Sequence, residues 1–369
     1  MRALFTTSPL HGHFYPMVPL AAAWRSMGHE VLVAAPDNFV TTVAHAGLPA
    51  TANGPGIGLH ELSAPGLADT RYASSGSFAR MVSNSLAGTL RVVRSWRPDV
   101  VVAERAELAG PIAAAVHGVP HVELHWGVPE LGEYRAEVED DLRDGLRRLG
   151  LAELPKPAAV VNLWPPSLRL PHAAGHLSLR HVPYNGIARV ADWMLEPAVG
   201  TRICLTLGTV VPHLAAPGLV LDVVESLAGL GHELVLAVDD DLAARLPALP
   251  PQVRHAGRVP LFETLGGCRL LVHHGGNGSS LTALAAGCPQ VVLPKVDDQF
   301  ENAAAIGRSG AGLVLLPDEA TPERVAEYCG RVLDDLTFGA GAAAVAEEIA
   351  GLPTPMETAA VLESLAEHG

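Results

Sequence analysis

Residues 270–303 read LLVHHGGNGSSLTALAAGCPQVVLPKVDDQFENA. Leu270, Leu271 and Val272 form a short apolar run of the kind that fills a buried parallel strand. Gly275, Gly276 and Gly278 follow, and without side chains they let a ligand approach the backbone. Ser279 or Ser280 can cap a helix whose apolar stripe is Leu281, Leu284 and Ala285. Such a helix points its unpaired N–H groups and positive dipole end at whatever anion sits above the turn, and a phosphate is the obvious guest. His273 ends the strand toward the crevice where open α/β sheets bind ligands. A second strand, Gln290 to Leu293, runs into Asp297, Asp298, Gln299 and Asn302, whose carboxylates and amides suit sugar hydroxyls.

Outward from this block the same rhythm repeats. Before it come a strand at Thr201 to Leu207 ending in Gly208 and Thr209, a helix from about Leu219 to Leu230, and strands at Glu233 to Ala237 and Val253 to Ala256; Gly312 to Leu315 follows it. The N-terminal half starts with a strand at Arg2 to Thr7, a turn through Ser8 to Pro16, a helix in which Val18, Leu20, Ala21 and Trp24 share faces, and a strand at Glu30 to Ala35. Asp99 to Ala103, a helix at Gly110 to Val116 and His121 to Leu124 continue the pattern. Strand–helix–strand units at this spacing are right-handed crossovers, so each half predicts a doubly wound parallel sheet. His181 to Gly186 has the rigid and turn-forming residues of a linker, which puts the boundary near Pro183. Helical spacing returns from Thr321 to about Leu336 and from Pro355 to Glu367.

The chain has 369 residues, 49% hydrophobic and 17% charged, which is enough to bury two sizeable cores and too apolar for disorder. No apolar run approaches the roughly 20 uninterrupted residues of a membrane span. The short strand after Met1 and Arg2 has no cleavage site behind it, so a cytoplasmic location is expected. Cys204, Cys268, Cys288 and Cys329 are far apart and lack CxxC spacing, which predicts buried thiols rather than disulfides or a zinc site. The pairs His11/His13 and His273/His274 are too closely spaced for a helical metal pair, and no metal is expected. A net charge of −14 argues against nucleic acid, and an anionic ligand has to be captured locally by helix-end amides, hydroxyls and a few groups such as His273.

Two residues in the N-terminal half are candidates for a base and the carboxylate that orients it, although a lone histidine in a turn is more often structural or solvated. In Leu10-His11-Gly12-His13-Phe14-Tyr15-Pro16, His13 stands just before a helix at the carboxyl end of the first strand. An imidazole unperturbed by its surroundings titrates near 6.5, so a histidine there can accept a proton near neutral pH. Glu104 follows the buried strand Asp99 to Ala103 and can orient such a base; the competing reading is a loop carboxylate paired with Arg105. Thr209 reads either as a ligand contact or as a helix cap.

The 270–303 block and the Gly-His-x-x-Pro turn at Gly12 to Pro16 closely resemble glycosyltransferase family 1, the GT-B glycosyltransferases, and above all the actinobacterial enzymes that glycosylate antibiotics and other natural products. The matching positions are His273, Gly275, Gly278, Ser279, Pro289, Gln290, Pro294, Asp298, Gln299 and Asn302. The likeness spans essentially the whole chain, strongest over 1–36, 181–209 and 255–303 and weakest over 51–95 and 130–171. It implies GT-B architecture: two Rossmann-like doubly wound parallel-sheet domains facing across a cleft, at 1–183 and 184–354, with a final helix at 355–369 packing back on the N-terminal domain and closure about the linker near Pro183.

The resemblance also implies roles. His13 matches the base, and Glu104 stands where the family often has an aspartate. His273 and the amides of Gly278 and Ser279, with Gly275 and Asn277 in the same turn, match the diphosphate site; Asp298 and Gln299 match the sugar contacts. Thr209 matches a hydroxyl near the donor, and Val259 and Pro260 match the loop that meets the nucleotide base. The implied reaction is inverting, metal-independent transfer of a sugar, a deoxysugar above all, from a dTDP- or UDP-sugar co-substrate to an apolar natural product such as a polyketide. The acceptor is expected in an N-terminal region that includes Phe78, Met81, Trp126, Leu131 and Tyr134, and a homodimer is compatible. Two other readings share the architecture. A nucleotide-sugar epimerase would need further acid and base carboxylates, of which no clear set is visible. Against a non-catalytic helper of another transferase stand His13, His273, Asp298 and Gln299.

Overall fold

The computed structural model describes residues 1–58, 75–186, 189–196, 200–208, 217–296 and 298–368. The chain divides into two compact units. The first comprises Met1–Pro166, Leu170–Tyr184 and Leu352–Gly369, and the second Ser167–Arg169 with Asn185–Gly351.

The first unit is built on seven parallel strands: β1 (Arg2–Thr6), β2 (Glu30–Ala35), β3 (Ala50–Ala52), β4 (Val100–Glu104), β5 (His121–His125), β6 (Ala159–Asn162) and β7 (Leu177–Ser178). Their order is β3-β2-β1-β4-β5-β6-β7. The chain winds outward from β1 through β2 to β3, then returns to lay β4 on the other side of β1, so the switch in direction falls between β1 and β4. Open α/β sheets bind ligands in the crevice outside the carboxyl ends of two such strands. Central strands covered by helices on both faces have to be apolar throughout, and all five residues of β4 are buried.

The second unit repeats the plan with β8 (Arg202–Thr206), β9 (Glu233–Ala237), β10 (Val253–Gly257), β11 (Leu270–His273), β12 (Gln290–Val292) and β13 (Gly312–Val314), ordered β10-β9-β8-β11-β12-β13. Its switch lies between β8 and β11, where His273 pairs in register with Thr206. The strands from the sequence pattern are all present within a residue or two of their expected ends. Three further strands, β3, β6 and β7, and the long helices Ser75–Trp96 and Gly132–Arg148 add to them.

The last helix, Pro355–His368, belongs to the first unit and packs on the helix Val18–Ser26, with Glu363 paired to His29 at 3.2 Å and the Thr358 hydroxyl donating to the Ser178 carbonyl at 3.3 Å. Arg180 fastens the segment leading into it, its amide donating to the Pro353 carbonyl at 2.7 Å and its Nε to the Leu352 carbonyl at 3.0 Å. Cys204, Cys288 and Cys329 are buried free thiols and Cys268 is half-buried. Among the described residues no helix is long and apolar enough to cross a membrane.

Candidate active site

In the first unit, β1 ends in Thr6, and after a short turn the chain forms a single helical turn, His11–Phe14, which continues through a 3-10 turn at Tyr15–Met17 into the helix from Val18. Pro16 fits the start of that 3-10 turn because its missing N–H would have no partner there. His13 is thereby held over the carboxyl end of β4, whose last residue is Glu104. His13 Nδ1 lies 3.0 Å from Glu104 Oε1. The Ser8 hydroxyl donates to the same oxygen at 2.7 Å, while Oε2 accepts from the Ala106 amide at 2.8 Å and from Trp126 Nε1 at 2.9 Å. Burial alone would push Glu104 up, but the charge and hydrogen bond of His13, with the Ser8 and Ala106 bonds, hold it down at about 2. It is therefore a carboxylate, and it fixes the His13 tautomer: Nδ1 carries the proton and Nε2 is left as the basic nitrogen.

Glu104 turns to His13 rather than to Arg105, which donates instead to the carbonyls of Gly127 and Pro129. The Trp126 ring lies 4.3 Å from the His13 ring, so one indole packs against the base and bonds its carboxylate. The sequence places Trp126 only among the residues of an acceptor wall. Of the others named for that wall, Met81 is buried, Leu131 is half-buried, and the side chains of Phe78 and Tyr134 lie outside the described residues. Next to the pair, burial raises Glu107 to about 7, the nearby Glu104 charge adding to it against the hydrogen bonds from the Ala109 and Gly110 amides.

In the second unit, β11 leads through Gly275 into a helix, Asn277–Ala285, whose N-cap is Gly276. The helix starts three residues earlier than a Ser279 cap requires, because Gly276 already takes the extended conformation of an N-cap; Ser279 and Ser280 lie inside the first turn. The N-cap Gly276 offers no side chain to this end, and the first-turn amides of a helix point out of its start. Gly275 has φ +85°, and a Cβ there would meet the Gln299 carbonyl at 2.9 Å, so the fold itself demands glycine. At Gly278 a Cβ would meet nothing within 4 Å. Open room thus lies over the helix end.

His273 is fully buried, its Nδ1 accepting from the Gly275 amide at 3.1 Å and its Nε2 donating to Gln290 Oε1 at 2.8 Å. Burial lowers it to about 3. With both ring nitrogens engaged inside the unit, His273 shapes the turn from below instead of offering a nitrogen to a diphosphate, which corrects the role implied by the resemblance. The histidine that the sequence pattern passed over is His274. Its ring lies so close over Gly208 and Gly276 that a Cβ at either would collide with it, and its Nδ1 has no partner among the described residues. Burial lowers it to about 4, against a hydrogen bond to the Thr206 backbone.

Gln299 Oε1 accepts from the amides of Lys295 and Val296 at 2.9 and 3.2 Å, which folds the loop after β12 back on itself. Asn302 Nδ2 bonds both Asp298 Oδ2 at 2.6 Å and the Gly275 carbonyl at 3.0 Å, so the acidic loop and the glycine turn are tied together. Val259 packs half-buried in the core beside the carboxyl end of β10. Thr209 and Asp297 lie outside the described residues. Among the described residues no group of three or more His, Cys, Asp or Glu side chains is gathered for a metal ion.

Two family models match the chain: the N-terminal domain of the erythromycin biosynthesis protein CIII-like proteins over residues 22–208, and their C-terminal domain over residues 221–365. The chain belongs to this family. It is a glycosyltransferase of GT-B fold, of the kind found in antibiotic biosynthesis. Among its relatives, L-demethylnoviosyl transferase of Streptomyces niveus is 39% identical over 99% of this chain and 98% of its own. The structure of the Streptomyces sp. SF2575 glycosyltransferase SsfS6 with thymidine diphosphate superposes with a TM-score of 0.85 at 33% identity, covering 99% of each chain. Spinosyn rhamnosyltransferase SpnG with spinosyn aglycone gives a TM-score of 0.88 at 32% identity, over 99% of this chain and 100% of that one.

Proposed function

We propose that this member of the erythromycin CIII-like family transfers a deoxysugar from a thymidine diphosphate donor to a hydroxyl of an apolar natural product, with inversion and without a metal. The observation that carries the reading is the pair of half-buried His13 and fully buried Glu104, Nδ1 to Oε1 at 3.0 Å, at the strand switch of the first unit. His13 Nε2 takes the acceptor's proton as the acceptor oxygen attacks the anomeric carbon, the bond from that carbon to the diphosphate breaks on the opposite face, and the imidazolium is stabilised by Glu104. The amides at the start of the helix Asn277–Ala285 take up the charge of the departing diphosphate, and Asp298 and Gln299 hold the sugar. Support for the nucleotide comes from SsfS6, whose structure holds thymidine diphosphate, and for the acceptor class from SpnG with its aglycone.

The test is to incubate the protein with dTDP- and UDP-sugars and follow nucleoside diphosphate release, with and without acceptor, in the native chain and in His13→Ala. Acceptor-dependent release that falls by about 10²-fold or more in the variant is the expected result. Equal release in both would remove His13 from the mechanism.

A further inference from the structure

Arg105 is among the largest fully buried side chains of the protein, and the reaction above gives it no task. A guanidinium is costly to take out of water unless its N–H groups are met, so its place in the interior has to be explained by what it holds. Its Nη1 donates to the Gly127 carbonyl at 3.0 Å and its Nη2 to the Pro129 carbonyl. Both carbonyls belong to the turn that begins at Trp126, one residue past the end of β5. Trp126 lies beyond the last residues that pair β5 with β4 and β6, so the sheet ladder does not fix it. The planar fork of an arginine suits this place, because it meets two acceptors at a fixed spacing and keeps its charge when buried. A second indole completes the hold, Trp164 Nε1 donating to the Trp126 carbonyl at 3.0 Å.

Arg105 also meets the Trp126 side chain. Its guanidinium carbon lies 5.4 Å from the centre of the indole, within the reach of a cation–π contact. Two consecutive residues therefore grip one ring: Glu104 accepts its N–H at 2.9 Å, and Arg105 lies over it. A cation over the ring draws on its electrons and makes the N–H a stronger donor, so the two contacts reinforce each other. The same indole packs 4.3 Å from the His13 ring.

We propose that Arg105 is a positioning residue of the transfer reaction: it clamps the 126–129 turn and the indole, so that Trp126 Nε1 stays on Glu104 Oε2 and the ring stays against His13. It acts on the base only through Trp126. The proposal rests on the reading of His13 as the base and deepens it, adding the residue that braces the pair from behind.

The experiment labels the full chain with isotopic tryptophan and follows its five indole N–H signals by NMR, with no substrate present. The signal lost in Trp126→Phe belongs to Trp126. The control is Trp24, fully buried in the same unit against Phe5 and assigned by Trp24→Phe. Arg105→Lys keeps the charge without the fork, and Arg105→Met loses both. In each, the Trp126 signal is expected to move upfield, as a weakened hydrogen bond requires, and its N–H to exchange with deuterium about tenfold faster, while Trp24 keeps its position and rate. Arg105→Lys keeps the test decisive should Arg105→Met fail to fold. A Trp126 signal unchanged in position and exchange would overturn the proposal. So would equal losses of protection at Trp126 and Trp24, which would make Arg105 a stabiliser of the unit as a whole. In the release assay above, Arg105→Lys is expected to lower kcat about tenfold at unchanged donor KM, with no further loss when Trp126→Phe is added; losses that multiply would also overturn the proposal. Because the indole signals are read without substrate, a failure of His13 as base leaves them intact, whereas a failure of the clamp leaves the His13-dependent release of nucleoside diphosphate intact.

Discussion

Each oxygen of Glu104 accepts two hydrogen bonds, Oε1 from Ser8 and His13 and Oε2 from Ala106 and Trp126. An amide cannot replace it, because the NH2 of a glutamine would face two donors. Glu104→Gln is therefore expected to lose the His13 tautomer and lower kcat on the order of a hundredfold, with little added loss in the Glu104→Gln/His13→Ala double variant. A double variant whose losses multiply would show that the two side chains act separately. Trp126→Phe keeps a ring against His13 and removes one donor to Glu104; the loss of a single charge-assisted bond predicts a fall of about tenfold in kcat with the donor KM unchanged. His13 and Glu104 were legible because Glu104 closes one apolar strand and His13 stands in the turn that follows another. Trp126 and Ser8 were not: they reach Glu104 across 22 and 96 residues of sequence, and no spacing rule encodes a contact made through space.

The strand–turn–helix element of the second unit separates glycines that the fold needs from those a ligand needs. Gly275→Ala places a Cβ on a residue with φ +85° and against the Gln299 carbonyl, and is expected to cost at least about 1–2 kcal/mol in denaturant unfolding. Gly278→Ala puts a methyl group into open space inside a helix, where alanine is favoured by up to about 1 kcal/mol, so the fold should hold or gain stability. The same methyl group stands over the amides assigned to the diphosphate. Calorimetric titration with thymidine diphosphate is thus expected to show weaker binding to Gly278→Ala, and unchanged affinity would take the phosphate away from this helix end. Strands such as β4 and β11 were legible because buried parallel strands are continuous apolar runs. The helix Gly132–Arg148 hid for the opposite reason: it buries Val138, Leu142 and Leu146 at four-residue spacing within a sequence otherwise dense in charge. β7, two residues long, is below any periodic signal.

Across the whole molecule, burial fixes how stability responds to acid. His121, His181 and His274 are each lowered to about 4 and His273 to about 3, all chiefly by burial, with two of the four in each unit. A histidine held neutral in the fold but free to protonate near 6.5 when unfolded makes the unfolded state bind the extra proton, so stability is full above about pH 6.5 and falls as pH drops toward 4. Glu107 acts in the other direction. Raised to about 7, it is protonated in the fold and ionised in the unfolded chain between about pH 4.5 and 7, so its contribution grows as pH falls through that window. Glu104 and Glu123, both held at about 2, are still ionised in the fold there and begin to cost stability only below about 4.5, where the unfolded carboxyls take protons. Four histidines against one glutamate leave roughly three protons in favour of the unfolded state near pH 5, or about 4 kcal/mol per pH unit. The expected outcome is that urea midpoints change little from pH 8 to 7 and fall steeply from pH 6 to 5. His181→Leu removes a histidine whose two ring nitrogens have no partner among the described residues, and it is expected to make that fall shallower by about one proton. A midpoint flat between pH 6 and 5 in the native chain would mean that these rings are hydrated and free to titrate in the fold.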